Sequence, residues 1–246
     1  MDLPHLISIV GGGPGDPELL TVKATKRLQT ADVVLYDALL GEEILALAPP
    51  DCEKIYVGKL YRDGQNQEER QNEIHRRFAF YAEQGKKVVR LKAGDPMIFG
   101  RGAEEVRFCL ENGLNYEVIP GITAALAGAA RFNVAITERE KAGMALFYTA
   151  HRVNGKFSDI EALAEVLKTG SPAMVYMGLN NLSELAGTLL EKGIVASTPV
   201  RILSAISQEK EKQYETVLGE VDVFLAENKP ESPAVIIIGQ HVNSIG

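Results

Sequence analysis

Residues 6–21 read LISIVGGGPGDPELLT: an apolar run, a glycine loop, then the start of an amphipathic segment. Strand, glycines and helix in that order are the layout with which a parallel α/β sheet holds a dinucleotide. Asp37 closes the next apolar run about 20 residues on, where a ribose-binding acid would sit. The fingerprint G-x-G-x-x-G nevertheless fails in every register. Counting from Gly11 the sixth position is Asp16, and from Gly13 it is Glu18. Pro14 removes a backbone donor from the loop. Asp16 and Glu18 place carboxylates where a pyrophosphate would rest against N–H groups. The loop suits a ligand without phosphate, or a cationic one. Taken alone, GPGD is more simply a tight turn followed by a helix cap.

Working outward, the same alternation repeats. HLISIV, ADVVLYD, EKIYVG, KKVVRLK and NYEVIP read as strands, rich in Val, Ile and Leu. Between them PELLTVKATKRLQT reads as a helix with Pro17 in its first turn. EIHRRFAFYAEQG reads as a long helix, and GAEEVRFCLENG as one ended by Gly113. GITAALAGAARF begins another. This order predicts an α/β fold with a parallel sheet covered by helices on both faces. FNVAITEREKAG, near residues 133–143, breaks the rhythm. A second series follows: MALFYTAH, PAMVYMG, TPVRILSAIS, KQYETVLG and AVIIIGQ as strands, DIEALAEVLKTG and NNLSELAGTLLEKG as helices. Two α/β domains are expected, 1–140 and 141–246. The second sheet should be mixed, because QEKEKQYETVLGEV looks like a hairpin arm rather than a crossover.

Two more loops share the character of the first. The fourth strand ends in AGDPMIFGRG, 93–102, and the fifth in GITAALAGAA, 121–130. Ligands of open α/β sheets bind outside the carboxyl ends of strands. Each loop alone is ordinary turn chemistry; three at one sheet edge favour a site. Gly94 and the small run Thr123-Ala124-Ala125 would let a ligand approach the backbone, and Asp95 adds one negative charge.

Composition narrows the partners. A net charge of −7 argues against nucleic acid, which needs a basic surface. No run of about 18 apolar residues suggests a membrane span, and the N-terminus lacks signal-peptide character. Cys52 and Cys109 share no metal-ligand spacing and suit a reducing cytoplasm, and no histidine pair has zinc spacing, so no metal is expected.

VGGGPGDPELLTVKATKRLQTADVVLYDALL, YVGK, VVRLKAGDPMIFGRGAEE, VIPGITAALAGAA, VYMGLNNL and ESPAVIIIG together resemble the tetrapyrrole methylases, and within them most closely the enzymes that methylate uroporphyrinogen III. The likeness covers nearly the whole chain. It implies two α/β domains with a cofactor cleft between them, a homodimer, and transfer of methyl groups from S-adenosyl-L-methionine (SAM) to two ring carbons of a tetrapyrrole. S-adenosyl-L-homocysteine would be the by-product, and the route would lead to sirohaem or cobalamin. Carried over by position, it implies cofactor contacts at Pro14, Ala93, Gly94, Asp95, Ile98, Thr123, Ala124, Met177 and Ile206. It makes Asp37 and Lys59 candidates for proton transfer and places Arg101, Glu104 and Arg139 on the substrate side. Ala93 stands where close members carry glycine, Leu60 where arginine is common, Glu138 where histidine is common, and SAIS replaces an Asn-(Ala/Gly)-Thr pattern.

The chemistry agrees with the likeness. SAM carries a sulfonium and an ammonium and no phosphate, so an acidic glycine loop tolerates it. Met177 offers a polarisable contact, although core packing would explain a methionine there as well. The substrate bears eight carboxylates, so Arg101 and Arg139 suit bidentate clamps against the net negative background. Three other outcomes stay open: another precorrin-class tetrapyrrole as substrate, an NAD-dependent dehydrogenase, and a non-catalytic small-molecule sensor.

Overall fold

The computed structural model describes residues 6–58 and 67–242, in two compact units, Met1–Thr123 and Ala124–Gly246. In the first, the order is β1 (Leu6–Gly11), α1 (Val22–Leu28), β2 (Val33–Tyr36), α2 (Glu42–Leu45), β3 (Glu53–Tyr56), α3 (Gln67–Glu83), β4 (Lys87–Lys92), α4 (Gly102–Glu111) and β5 (Tyr116–Ile119). The strands form one wholly parallel sheet, β3-β2-β4-β1-β5, as the alternation predicts. Side chains alternate between its faces. Val10, Val34, Val89 and Leu91 pack with Ala24, Leu28 and Ile44 of α1 and α2. Ile7, Ile9, Val33, Leu35 and Val88 pack with Ile74, Phe78 and Cys109 of α3 and α4. Both cysteines are buried and unpaired.

The segment expected as one helix from Pro17 is two elements. Asp16 accepts from Glu18 N at 2.8 Å and caps a single tight turn, Pro17–Leu19. Leu20 is extended, and Thr21 Oγ1 then accepts from Ala24 N at 3.1 Å to open α1. Two capping side chains five residues apart each start their own turn. Gly113, at φ +63°, ends α4 as expected.

The second unit runs α5 (Ala124–Arg131), β6 (Leu146–Thr149), β7 (Arg152–Val153), β8 (Lys156–Phe157), α6 (Ile160–Lys168), β9 (Ala173–Tyr176), α7 (Leu182–Glu191), β10 (Pro199–Ser204), β11 (Lys212–Val217), α8 (Val221–Glu227) and β12 (Ala234–Ile238). Its main sheet, β11-β10-β12-β9-β6, is mixed: β6 and β9 are parallel and every other pairing is antiparallel. The expected hairpin arm is β11, paired with β10 from Pro199 opposite Val217 to Ser204 opposite Lys212. Leu163, Leu167, Leu182, Leu185 and Leu189 of α6 and α7 cover Val175, Val200, Ile202, Ile236 and Ile238. The short β7–β8 hairpin turns through Asn154-Gly155, both with positive φ.

The units part between Thr123 and Ala124, whereas the sequence placed the domain boundary near 140. Helix α5 accounts for the difference. A Cβ built on Gly128 would lie 2.8 Å from Leu203 Cδ1 and 3.1 Å from Ile206 Cδ1, so α5 packs against the end of β10. Among the described residues no helix is long and apolar enough to cross a membrane.

Candidate functional site

The carboxyl ends of β1, β4 and β5 carry the three loops singled out above, and backbone bonds join the first two. Gly12 N donates to Lys92 O at 2.7 Å, Gly13 N to Gly94 O at 3.2 Å and Gly94 N to Gly13 O at 2.7 Å. The contact tolerates no side chain. A Cβ on Gly121 would stand 2.2 Å from Gly94 O, and one on Gly11 would stand 2.4 Å from Gly121 N. Gly13 and Gly94 are left-handed, both at φ +68°, a region that glycine enters without strain. Pro14 is buried beside this weld, while Ala93 and Gly94 are half-buried.

Asp95, expected as a negative charge for a ligand, spends both oxygens on the protein. Oδ1 accepts from Met97 N at 2.8 Å and Oδ2 from Gly121 N at 3.0 Å. It thereby ties the 93–102 loop to the loop after β5. Ile98 N follows it with a 3.3 Å bond to Asp95 O. Thr123 is buried, and its Cα lies 3.7 Å from where a Gly94 Cβ would be. The N–H groups of Gly12, Gly13, Gly94 and Gly121 thus all have protein acceptors. A phosphate cradle needs such donors aimed at the ligand, and here they are committed elsewhere.

Arg101 caps the start of α4 in a left-handed conformation, φ +60°. Its Nε and Nη2 donate to the two oxygens of Glu104 at 2.8 and 2.6 Å. The two expected substrate-side residues therefore hold each other. The Arg101 hydrogen bonds keep the Glu104 carboxyl below the usual range.

Asp37 lies just beyond β2. Arg90 Nη2 donates to both of its oxygens, at 2.6 and 2.8 Å. Arg90 Nε donates to Glu105 at 3.0 Å, and Lys92 Nζ donates to the same oxygen at 2.9 Å. Arg90 Nη1 adds bonds to Leu35 O and Leu91 O at 3.3 and 3.2 Å. Two cations thus face two anions, with Glu105 wholly buried and its Oε2 without a hydrogen-bond partner. Burial, with Arg90 nearby, pushes the Lys92 ammonium down from its ordinary value. The sequence reading missed this network. Its signal was present: two cations on one face of a buried strand demand buried anions. The second proton-transfer candidate, Lys59, lies outside the described residues, as does Leu60.

In the second unit β6, β9 and β10 run in one direction, so their carboxyl ends share an edge. Three non-glycine residues there are left-handed: Met177 at φ 54°, Ala205 at 51° and Ser207 at 62°. Such backbone costs about 1 kcal/mol or more per residue and concentrates at functional sites. Met177, 56% exposed, is a surface residue at a strand end rather than core packing. Ile206 is buried against Gly128 of α5. Ala124 opens α5, and the Tyr176 hydroxyl accepts from the next N–H, Ala125 N, at 3.1 Å. Arg139 is exposed on the turn between α5 and β6, which is closed by Glu138 and Ala142 bonding each other. Among the described residues no group of three or more His, Cys, Asp or Glu is arranged to hold a metal ion.

The family model for Tetrapyrrole (Corrin/Porphyrin) Methylases matches residues 6–222. The chain belongs to that family. It is 40% identical to the uroporphyrinogen-III C-methyltransferase of Bacillus subtilis, over 96% of this chain and 91% of that one. It matches the siroheme synthase of Actinobacillus succinogenes at 40% identity but spans only 48% of its length. Among solved structures, a uroporphyrin-III C-methyltransferase of Thermus thermophilus complexed with S-adenosylhomocysteine is 38% identical. It superposes with a TM-score of 0.80, covering 96% of this chain and 93% of that one. A cobalt precorrin-4 methyltransferase superposes at 0.84 with 26% identity, over 98% and 96%. Membership of the methylase family, with the N–H groups of Gly12 and Gly13 already bonded, removes the motive for a dehydrogenase.

Proposed function

We propose that this chain is a SAM-dependent uroporphyrinogen-III C-methyltransferase that makes two transfers and yields precorrin-2. The observation that carries the reading is 40% identity to a uroporphyrinogen-III C-methyltransferase over nearly the full length of both chains. The rim of the first sheet fits the cofactor. It offers glycine backbone stripped of side chains, with the N–H groups of Gly12, Gly13, Gly94 and Gly121 bonded within the protein rather than aimed at a phosphate. When bound, SAM supplies a methyl group made electrophilic by its sulfonium.

We assign cofactor contact to Pro14, Ala93, Gly94, Asp95, Ile98 and Thr123 in the first unit and to Ala124, Met177 and Ile206 in the second. Asp95 acts there chiefly by fixing the loop, since both its oxygens are bonded to backbone N–H groups. Asp37 is the charged group for the ring. Arg90 fixes its orientation, and an opposite charge so placed stabilises a cationic ring and can take the departing proton. Lys59 is assigned to the same proton traffic. Glu104 fixes the Arg101 fork in one orientation, and Arg101 with Arg139 recognises substrate carboxylates. The family likeness further supports a cytoplasmic homodimer, which sedimentation equilibrium would check.

The test is the product. Uroporphyrinogen III incubated with methyl-labelled SAM should yield a tetrapyrrole bearing two labelled methyls. Labelling of a later precorrin, but not of uroporphyrinogen III, would move the assignment to the second reading, favoured by the 0.84 superposition on the cobalt precorrin-4 enzyme. No labelled tetrapyrrole in either case would overturn the methyltransferase.

A further inference from the structure

We propose that Glu211 is a positioning residue for the cofactor, locking the strained turn around Ile206 onto α5. The inference rests on the functional reading above, which assigns Ile206 and Ala124 to the cofactor.

The turn after β10 is an unusual piece of backbone. Ala205 and Ser207 are both left-handed, at 51° and 62°, with Ile206 between them and no glycine to relieve either. Two tight turns follow one another: Gln208 N donates to Ala205 O, and Glu211 N to Gln208 O, both at 2.9 Å. L-residues persist in this region only where their surroundings over-determine them.

Glu211 supplies that constraint. Its Oε2 accepts from Ser207 N at 2.7 Å, satisfying the donor that the strained residue turns away from the main chain. Its Oε1 accepts from Arg131 Nε at 2.5 Å, and Arg131 is the last residue of α5. The Glu211 side chain is 14% exposed and that of Arg131 is 69% exposed. The carboxylate is therefore the buried, ordering partner and the guanidinium its solvated counterion. One turn earlier on α5, Gly128 forms the notch that receives Ile206 and Leu203. A single carboxylate thus holds one end of α5 to the strained turn, while the other end of the same helix begins at Ala124. Release of the clamp lets the turn relax toward ordinary backbone and moves Ile206 in its notch. Glu211 touches neither reactant; it acts through Ser207 and Ile206.

Titration calorimetry with S-adenosylhomocysteine tests this, beside steady-state kinetics on uroporphyrinogen III. Glu211→Ala should weaken binding about tenfold, about 1.4 kcal/mol, within what a charge-assisted hydrogen bond supplies. KM for SAM should rise in parallel, with kcat and the tetrapyrrole KM within about twofold. Glu211→Gln, which keeps an acceptor for Ser207 N–H, should recover affinity to within about threefold. Arg131→Ala, at an exposed residue, should weaken binding about two- to threefold and serves as the test if Glu211→Ala does not fold. Unchanged affinity in Glu211→Ala, or in Arg131→Ala where it replaces it, overturns the proposal. So does a loss of kcat and both KM values together with folding stability, which is the mark of a merely structural residue. If the unsubstituted protein binds no S-adenosylhomocysteine, the functional reading fails first and takes the clamp's role with it.

Discussion

The two units shape their carboxyl-edge loops with a different balance of means. The first removes side chains: Gly11, Gly94 and Gly121 meet backbone to backbone, and ladder-like bonds run between loops. The second relies on bent backbone, with Met177, Ala205 and Ser207 in left-handed conformations, a device the first uses only away from its weld, at Leu39, Phe99 and Arg101. The cores differ too. The first unit buries opposite charges together, Arg90 and Lys92 with Glu105 of α4, whereas the second buries the Arg201 guanidinium, whose Nε donates to the backbone at Val242 O. Glycine contact makes a rim rigid by geometry alone. Strained L-residues make one that depends on particular partners, and such a rim is tunable at one residue.

Substitutions can break this contrast, and the largest effect is expected at the buried charges. Arg90→Met leaves Glu105 buried without its guanidinium and Asp37 without its clamp, and should cost about 3–5 kcal/mol in urea unfolding. A loss below about 1 kcal/mol would mean that the network is solvated. Gly121→Ala comes next. Its Cβ would meet Gly94 O at 2.2 Å, and overpacking against backbone should cost about 2–3 kcal/mol by the same measurement. Asp95→Ala strands Gly121 N and should cost about 1–2 kcal/mol while weakening S-adenosylhomocysteine binding. Affinity unchanged in calorimetry would remove the 93–102 loop from the site.

The amino end of the first sheet sharpens the comparison, because there a carboxylate is held by side chains alone. Burial pushes the Glu117 carboxyl up, but hydrogen bonds from Arg27, Lys23 and Ser8 outweigh it and hold the group at about 2. A depressed acid stabilises the fold above its ordinary value and loses that contribution as it protonates. Stability should therefore fall as pH drops from about 4.5 towards 2, and Glu117→Gln should flatten that part of the profile. The smallest effect is expected at Met177→Gly. Relief of its positive φ should offset glycine's entropy and raise stability by up to about 1 kcal/mol, while binding of S-adenosylhomocysteine falls. A loss of stability would show that Met177 is packed rather than strained.

Strands were the most legible part of the chain, because buried parallel strands announce themselves as Val/Ile/Leu runs. Helix limits were less so. Asp16 and Thr21 both cap, and a periodic pattern does not show a break at Leu20. Helices α2 and α8 went unread, being too short for their periodicity to stand out. At the site, the Asp95 bond to Met97 N was readable as a local Asx turn. Its bond to Gly121, 26 residues away, was not. The left-handed backbone at Ala205 and Ser207 leaves no mark in composition, since neither residue type favours it, and the Glu211 clamp that sustains it is a tertiary fact. The boundary near 140 followed the visible break in rhythm, while the chain changes unit before α5, at a position marked only by the packing of Gly128.

The committed N–H groups of the glycine weld bear on selection among cellular metabolites. ATP, NAD and their relatives share the adenosine half of SAM. With the cofactor seated at this weld as proposed, its four bonded N–H groups add nothing to the hold on a triphosphate or diphosphate tail. Discrimination of that sort needs no charged gatekeeper, because it is written into which main-chain atoms face each other.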